Sequence, residues 1–506
     1  MTAHSLLLGL GTALMPANLF ACFAGVLLGT LVGVLPGLGP VTAIALLLPF
    51  TFTLPPTTAI VVLSGLYYGA QYGGSTSAIL LNLPGEASSA VTCVDGHALA
   101  RAGRGGFALA VAAWASFAGG TIGTLLIAIA SEPMAAMTGA LTAADFAAVM
   151  ALGLAIAIAV EVAAPVKATV MAVAGLALGA VGTDVATGSE RWTFNVVALY
   201  DGIGFLPLAI GLFGFADIIE TLATGGGVQP VPFRPDGTSA APGEIRRTVF
   251  ATARGTAVGS VLGLLPGGGP TLASFVAYAA ERTFASGRAE LGVGAVEGVA
   301  GPEAANNAAA QTSFVPLLLL GVPSNAVVAL LLGALIVQGV QPGPTLMTKQ
   351  PELFWGLIVS MWIGNLLLLA LNLPLVGIWA RLLRVPYAVL YPATIALGCT
   401  GLFAVSRSTF DLILAAAFGV AGWWLKRGGF PVSTLLLGFV LSRPLEDSVM
   451  RGLALARGDA MTFVRSPVSA TALALGVLVL SLARARRMSS ALPPRREPGD
   501  DDGRRG

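Results

Sequence analysis

Charged residues are scarce in this chain. Asp, Glu, Lys and Arg together make up 10% of the 506 residues, whereas a soluble globular protein carries about 25%. This composition excludes an ordinary soluble domain. The formal net charge of +2 is small, and the basic residues fall in short loops and in the last part of the chain. No nucleic-acid partner is therefore expected.

Residues that hold metals or form disulfides are also few. The only histidines are His4 and His97, and the three cysteines are Cys22, Cys93 and Cys399. They form no CxxC pattern, so neither a zinc site nor a disulfide framework is predicted. The chain contains no GxxxxGK[ST] phosphate loop, which argues against a built-in ATPase. The N-terminus lacks the basic region and cleavage site of a removable signal peptide.

Long apolar runs are abundant. Hydrophobic residues make up 56% of the chain, and the mean hydropathy is +0.85. Several runs approach the roughly 20 residues that an α-helix needs to cross a bilayer. They include 107–130, 146–164, 196–219, 353–373 and 467–483. The sequence therefore predicts an all-α polytopic protein embedded in a lipid bilayer.

One Gly/Pro-rich phrase of twelve residues occurs twice in the sequence. "GTLVGVLPGLGP" (29–40) and "GSVLGLLPGGGP" (259–270) share seven of twelve residues. A second pair of segments, 78–91 and 316–329, aligns Pro84 with Pro323. These pairs predict two internal repeats of roughly five to six helical elements each.

The predicted domain boundaries follow from a polar, proline-containing interruption. The segments are a first transmembrane half (1–223), a linker (224–247), a second transmembrane half (248–483) and a disordered tail with basic and acidic residues (484–506).

The distribution of Lys and Arg predicts that the two repeats have opposite orientations. Three arginines lie within 246–254, before the second phrase, and no basic residue precedes the first phrase. After the paired prolines the asymmetry reverses: Arg101 and Arg104 follow Pro84, whereas only Lys349 follows Pro323. Because Lys and Arg favour cytoplasmic loops, this pattern indicates an inverted-topology repeat. It also predicts that the linker and the C-terminal tail are cytoplasmic.

The repeated phrase must interrupt a helix. Proline removes an amide donor and glycine loosens the backbone, and broken backbone at membrane depth is tolerated only inside protein or beside water. We expect two re-entrant helical hairpins whose tips meet near the membrane midplane. A kinked full-length helix remains an alternative. Gly29, Gly33 and Gly37 could also form a small-residue face for helix packing.

The helices that start after the two phrases suit a carboxylate. Their unpaired amides and positive dipole ends would point into a cavity, and unwound carbonyl groups at the tips could bind Na⁺. Glu303, between the two motifs of the second half, is the strongest single carboxylate candidate and could couple transport to H⁺. The predicted substrate- and ion-binding residues are Pro36, Gly37, Gly39, Pro40, Ser75, Thr76, Ser77, Asn82, Pro266, Gly267, Gly269, Pro270, Glu303, Asn306, Asn307, Ser324 and Asn325.

Other acidic residues are expected to have ordinary roles. Glu86, Asp95 and Glu297 lie in predicted loops, where a solvated charge is the common explanation, and Glu161 is expected to snorkel at a helix end. For Ser75 and Thr76, hydrogen bonding to neighbouring helices is an equal alternative to ligand binding. No catalytic residue, cofactor or firm metal site is predicted.

Three motifs resemble a known family. "GVLPGLGP", "YGGSTSAILLNLPGEASSAVTCVDGHALARAGRGG" and "GPEAANNAAAQTSFVPLLLLGVPSNAVVALLLGALIVQGVQPGP" resemble the large permease subunit of the tripartite tricarboxylate transporters, over roughly residues 15–480. The resemblance implies a permease of the bacterial inner membrane. It would work with a small four-helix membrane subunit and with a periplasmic solute-binding protein that delivers an organic carboxylate. Uptake would be driven by an ion gradient, and the cargo ranges from citrate to smaller dicarboxylates and aromatic acids.

Two other classes of protein are alternatives, a passive anion channel and a membrane-embedded enzyme. A passive anion channel fits the composition equally well, but paired helix breaks in an inverted repeat favour alternating access. A membrane-embedded enzyme fits poorly. Tyr200-Asp201 is not followed by the Gly-x-Gly-Asp of an aspartyl protease, and neither histidine is placed to serve a serine nucleophile. Elevator-type and rocking motions cannot be separated from sequence.

Overall fold

A computed structural model describes residues 3–35, 39–161, 164–184, 187–224, 240–265, 269–284, 291–343, 345–375, 377–379 and 387–490. The described chain is almost entirely helical. Its one sheet is a pair of two-residue strands, Gly182–Thr183 and Glu190–Arg191, that run antiparallel with Gly182 opposite Arg191. The predicted all-α class is confirmed.

Ten α-helices precede the predicted linker. They are α1 (Ala3–Ala13), α2 (Pro16–Val34), α3 (Pro40–Thr51), α4 (Pro56–Leu81), α5 (Thr92–Leu99), α6 (Gly105–Thr138), α7 (Ala143–Val160), α8 (Pro165–Gly179), α9 (Phe205–Ala209) and α10 (Ala216–Thr224). Short 3₁₀ segments (Ala87–Ala90, Val197–Leu199) and π segments (Ala100–Arg104, Ile210–Phe215) join some of them.

The remaining helices begin at Glu244, within the last residues of the predicted linker. They are α11 (Glu244–Leu264), α12 (Gly269–Phe284), α13 (Glu297–Thr312), α14 (Phe314–Leu320), α15 (Ala326–Val337), α16 (Leu346–Lys349), α17 (Pro351–Asn372), α18 (Tyr387–Ser406), α19 (Thr409–Arg427), α20 (Val432–Leu455), α21 (Thr462–Arg465) and α22 (Pro467–Ser490).

Seven helical stretches in the described chain are long and apolar enough to cross a membrane. They are Pro16–Val34, Thr92–Met137, Ala143–Val160, Phe205–Ala223, Pro351–Asn372, Thr409–Arg427 and Pro467–Arg484. All five runs expected from the sequence overlap one of these stretches. The run at 196–219 begins too early, because Gly202 adopts a left-handed φ of 86° and the helix starts only at Phe205. The polytopic membrane class is therefore confirmed.

Glycines on α2 let it touch the backbone of α4. An added Cβ on Gly29 would lie 2.3 Å from the carbonyl oxygen of Leu66, and one on Gly33 would lie 2.3 Å from that of Ala70. The contacts advance together along both helices, so α2 and α4 run parallel. Between them, α3 starts where α2 breaks and ends close to where α4 starts, which is the course expected of a hairpin.

The second half repeats this packing. A Cβ on Gly259 would lie 2.2 Å from the carbonyl oxygen of Ala305, and one on Gly263 would lie 2.5 Å from that of Ala309. The glycines in α2 and α11 are 230 residues apart (263 − 33) and their contact partners are 239 apart (309 − 70), the same two offsets as in the sequence motifs. The small-residue packing alternative thus holds for Gly29 and Gly33.

The two halves meet where α4 crosses α13 and α14. The Ser75 hydroxyl donates to Glu303 (2.7 Å), the rings of Tyr68 and Phe314 lie 5.9 Å apart, and Tyr67 accepts from Asn325 (3.3 Å). From the first of these contacts to the last, the residue number falls from 75 to 67 in α4 and rises from 303 to 325 in the second half. The two central helices of the halves are therefore antiparallel, and their contact forms the middle of the buried core.

A buried aspartate of the first half is held by residues of the second half. Asp95 is fully buried, and its Oδ1 accepts from the amides of Gly292, Gly294 and Ala295 at 2.8–2.9 Å. Its Oδ2 accepts from Tyr278 at 2.9 Å.

Two further carboxylates are held by arginines in the same region. Arg104 forms a two-pronged pair with Glu244, and Arg247 pairs with the buried Glu297. The expectation that Asp95 and Glu297 are solvated was wrong. Their partners come from segments of the second half that the sequence motif near 84–104 does not contain.

Candidate functional site

Both repeated phrases interrupt a helix in the structure. In the first half α2 ends at Val34 and α3 begins at Pro40, and in the second half α11 ends at Leu264 and α12 begins at Gly269. The predicted tip residues Pro36, Gly37, Pro266 and Gly267 lie outside the described residues. The described parts of the phrases, Gly39–Pro40 and Gly269–Pro270, are the first turns of the new helices.

A second pair of breaks also matches between the halves. At the ends of α4 and α14, Asn82 and Gly321 both adopt left-handed backbone, with φ of 56° and 67°. Four residues later, Glu86 and Asn325 are both extended and start the next helical segments. Each pair is 239 residues apart (321 − 82 and 325 − 86). The two breaks that contain Pro84 and Pro323 therefore have similar backbone conformations, in agreement with their alignment in sequence.

All four helix starts converge on one cavity of about 410 Å³. Its wall contains the first turns of α3, α12 and α15 and of the 3₁₀ segment Ala87–Ala90. Amides in a first helical turn have no partner within the helix, and they carry the positive end of the helix dipole. Such a wall provides donors for carboxylate oxygens without any cationic side chain.

The charged side chains on this wall are acidic. Glu86, Glu161 and Asp217 line the cavity, and no Lys or Arg does so within the described part of the chain. Glu86 accepts from Asn306 at 3.3 Å and is bonded by Ser88. Glu86 and Glu161 are half-buried on this wall, so both belong to the candidate site although neither was predicted as a site residue.

Asp217 is partly neutralised. It accepts from the Thr42 hydroxyl at 2.5 Å and pairs with Lys426 of α19. Thr42 also donates to the carbonyl oxygen of Phe213. This contact ties α3, which follows the first phrase, to the π segment before α10.

Six of the residues predicted from sequence line the cavity. They are Gly39, Pro40, Gly269, Pro270, Ser324 and Asn325. Asn325 caps α15 through its Oδ1, which accepts from the amide of Val328 at 3.0 Å. Asn306 stands behind the wall, where its amide contacts Glu86.

The other predicted residues lie elsewhere. Ser77 donates to the carbonyl oxygen of Gly74, Thr76 to that of Tyr72 and Asn307 to that of Glu303. Asn82 is exposed at the end of α4. None of these side chains lines the 410 Å³ cavity, and the three hydrogen bonds lie within the residues' own helices.

Glu303 is buried between the halves, away from this cavity. It is 1% exposed and receives hydroxyl hydrogen bonds from Thr92 (2.5 Å), Ser75 (2.7 Å) and Ser116 (3.1 Å). No Lys or Arg pairs with it among the described residues. The three donors come from α4, α5 and α6, so this acidic residue of the second half is surrounded by the first.

Three cavity residues are not among those predicted from the sequence. The hydroxyls of Thr271, Ser433 and Thr434 line the cavity, and none of them has a protein partner among the described residues. Thr271 directly follows Pro270, so the second phrase contained a signal for it. Ser433 and Thr434 lie on α20, far from both motifs, and only the tertiary packing brings them to the site.

No transition-metal site is evident. The described residues contain no group of three or more His, Cys, Asp or Glu side chains that could hold a metal ion. The arrangement is instead a polar cavity inside an apolar helical protein, closed by broken helices from both halves of the chain. Together, these features define a polytopic membrane protein with helix breaks from both halves around one polar cavity.

The comparisons with known proteins name the family. The tripartite tricarboxylate transporter TctA family matches residues 19–437, and the chain belongs to this family. The resemblance found in the sequence motifs is thereby confirmed. A protein of Agrobacterium vitis, described as an uncharacterized 52.8 kDa protein in the TAR-I ttuC′ 3′ region, is 50% identical over 479 residues, or 95% of each chain.

A second Agrobacterium vitis protein is similar to part of the chain. It is described as an uncharacterized protein in the TAR-II ttuC′ 3′ region, and it is 51% identical over 225 residues. The match covers 44% of this chain and 93% of that protein. No solved structure matches the chain.

Proposed function

We propose that this protein is the large permease subunit that carries organic carboxylates across the bacterial inner membrane, driven by an ion gradient. The observation that carries the proposal is the convergence of four helical first turns on one cavity. Family membership supports the partners: a small membrane subunit and a periplasmic solute-binding protein that delivers the substrate.

The charge of the cavity favours coupled transport over a passive anion channel. A carboxylate entering beside Glu86 and Glu161 meets like charges in a site of low dielectric, which is unfavourable unless positive charge enters too. Protons or Na⁺ ions bound together with the substrate would supply that charge. The two remain alternatives for this cavity, and both make transport depend on an ion gradient.

The packing supports inverted repeats as the basis of alternating access. Each half contains a helix, a break and a later helix parallel to the first, and the central helices of the two halves are antiparallel. A pseudo-two-fold axis in the membrane plane relates such halves. The cavity lies where the two sets of breaks meet, so a movement of one set against the other would open it to alternate faces.

Uptake by proteoliposomes tests the proposed function. The permease, reconstituted with its small subunit, should accumulate a radiolabelled tricarboxylate or dicarboxylate when the binding protein and an inward Na⁺ or H⁺ gradient are present. Accumulation should saturate with substrate and collapse with an ionophore for the coupling ion. Flux that never exceeds equilibrium and ignores both gradients would instead establish a channel.

Removal of cavity hydroxyls should weaken substrate binding. Thr271→Val and Thr434→Val keep the side-chain volume but delete donors on the wall. We expect KM to rise about tenfold for each, which corresponds to the loss of a hydrogen bond to a charged group, while the amount of folded protein stays unchanged. Thr348→Val, at an exposed threonine of α16, is the matched control. Unchanged KM in both cavity variants would remove this cavity from the substrate path.

The proposed orientation predicts an accessibility pattern. In a background lacking Cys22, Cys93 and Cys399, single cysteines at Thr238 in the linker and Ser490 near the C-terminus should both be cytoplasmic. They should resist a membrane-impermeant thiol reagent in intact spheroplasts and react after permeabilisation. If either is labelled from the periplasmic side, the charge-based orientation is wrong.

A further inference from the structure

A small void, separate from the 410 Å³ cavity, lies against Ser75 and Ser116, which both donate to Glu303. Its volume is about 10 Å³, which is near the minimum that holds one water-sized sphere. The oxygen-bearing side chains on its wall are Tyr72, Ser75, Thr76, Ser116 and Asn372, and the remaining lining is apolar. A space of this size accepts one small ion or one water molecule and excludes any organic substrate.

One of these oxygens has no partner. Asn372, the last residue of α17, is 5% exposed, and its Nδ2 donates to the carbonyl oxygen of Leu368 at 2.9 Å. That bond identifies the other amide atom as Oδ1, which is buried without a hydrogen-bond partner among the described residues. A buried carbonyl oxygen left unpaired costs about 1–3 kcal/mol, so the void requires a ligand that this oxygen can hold.

The void is also linked, through two serine hydroxyls, to the carboxyl group of Glu303, which does not itself line it. Ser75 and Ser116, which line it, both donate to Oε2 of Glu303 at 2.7 and 3.1 Å. Glu303 is buried and has no Lys or Arg partner in the described part of the chain. A buried carboxylate without a counter-charge is strongly unfavourable, and a single positive charge beside it would restore the balance.

We propose that Ser75, Ser116 and Asn372 bind one Na⁺ ion in this void, and that Glu303, which lies behind the two serines, balances its charge. Hydroxyl and amide oxygens are ligands that hard cations take. One carboxylate matches one positive charge, and the small void favours Na⁺ over the larger K⁺. The site joins α4 and α6 of the first half to α13 and α17 of the second, so Na⁺ binding stabilises the contact between the halves.

This inference rests on the proposed function only where it gives the bound Na⁺ ion a role in transport. If the permease is ion-coupled, Na⁺ in this void is a coupling ion held outside the substrate cavity, not at the helix tips. Binding of the ion itself is a property of the protein without substrate. Na⁺ binding is therefore measured on the purified chain, with NaCl as the probe.

The melting temperature of the purified permease in detergent should rise saturably with NaCl at constant ionic strength, balanced with choline chloride. KCl should have a weaker effect, and calorimetric titration should give one Na⁺ per chain. Asn372→Leu, Ser116→Ala and Glu303→Gln should each weaken Na⁺ binding at least about tenfold, as is typical when a group that supports an ion site is removed. Asn372→Asp, which keeps the oxygen, should still bind Na⁺.

Ser131→Ala is the matched control, because Ser131 is a buried serine on α6 whose hydroxyl bonds only the carbonyl oxygen of Ile127. It should keep the Na⁺ response. Variants are compared by their Na⁺-dependent change, so lower stability in choline does not confound the result.

Two results would overturn the site. One is an equal Na⁺ response in wild type, Asn372→Leu and Ser116→Ala. The other is the absence of any Na⁺ response in wild type, which would leave a water in the void and a proton on Glu303. Na⁺ binding without Na⁺-driven uptake would refute the proposed coupling while leaving the site intact.

Discussion

Gly33→Ala and Gly263→Ala should abolish the folded permease. The new methyl group would lie 2.3 Å from the carbonyl oxygen of Ala70 in the first case and 2.5 Å from that of Ala309 in the second. Backbone cannot move away as a side chain can, so α2 must separate from α4, or α11 from α13. We expect a loss of about 3 kcal/mol or more in each variant, at the upper end of overpacking effects. Size-exclusion chromatography of detergent extracts should show aggregated protein.

Gly11→Ala is the control for this pair. Gly11 also lies in a helix, but a Cβ there meets nothing within 4 Å. Alanine in an open helical position stabilises by roughly 0.5–1 kcal/mol relative to glycine, so this variant should run as a sharp peak with an unchanged or higher melting temperature. A monodisperse, stable Gly33→Ala protein would show that α2 and α4 are not in backbone contact.

Asp95→Ala should cost about 3 kcal/mol or more, because it leaves three backbone amides and the Tyr278 hydroxyl without their acceptor. Melting temperature and the fraction of monodisperse protein measure the loss. Asp95→Asn retains one acceptor oxygen for the amides and should lose less. Asp447→Ala is the control, since the Asp447 side chain is 68% exposed.

Equal melting temperatures for Asp95→Ala and Asp447→Ala would contradict the role given to Asp95. They would mean that the loop before α13 is held in place by its other contacts. The same measurement on Arg104→Gln would then show whether the pair with Glu244 joins the halves instead.

Much of the fold could be predicted from sequence because the signals are local. Apolar runs predict the membrane helices, and the Pro/Gly phrases predict the breaks after Val34 and Leu264. The offsets between repeated motifs are visible in the letters alone. The repeated glycines, however, have two roles that one sequence cannot separate: Gly29 and Gly33 pack against α4, whereas Gly39 lies on the cavity wall.

The candidate site could be predicted only in part. Gly39, Pro40, Gly269, Pro270, Ser324 and Asn325 line the cavity because they sit at helix starts, which the sequence marks. From the sequence, Ser75 and Thr76 were equally good candidates for the cavity wall. Their direction around α4 depends on what packs against that helix, and the structure turns them toward α6 and Glu303.

The sequence by itself determined that this chain is a polytopic helical membrane protein, where its helices break and to which family it belongs. These properties follow from composition, from residues that cannot continue a helix and from motifs read in order. Only the tertiary structure decided which polar groups meet. Glu86, Glu161 and Thr434 share one cavity, Asn372 and Ser116 share another with Ser75, and Asp95 reaches the loop before α13. Such partners are far apart in the chain, and side chains find them only when whole helices pack.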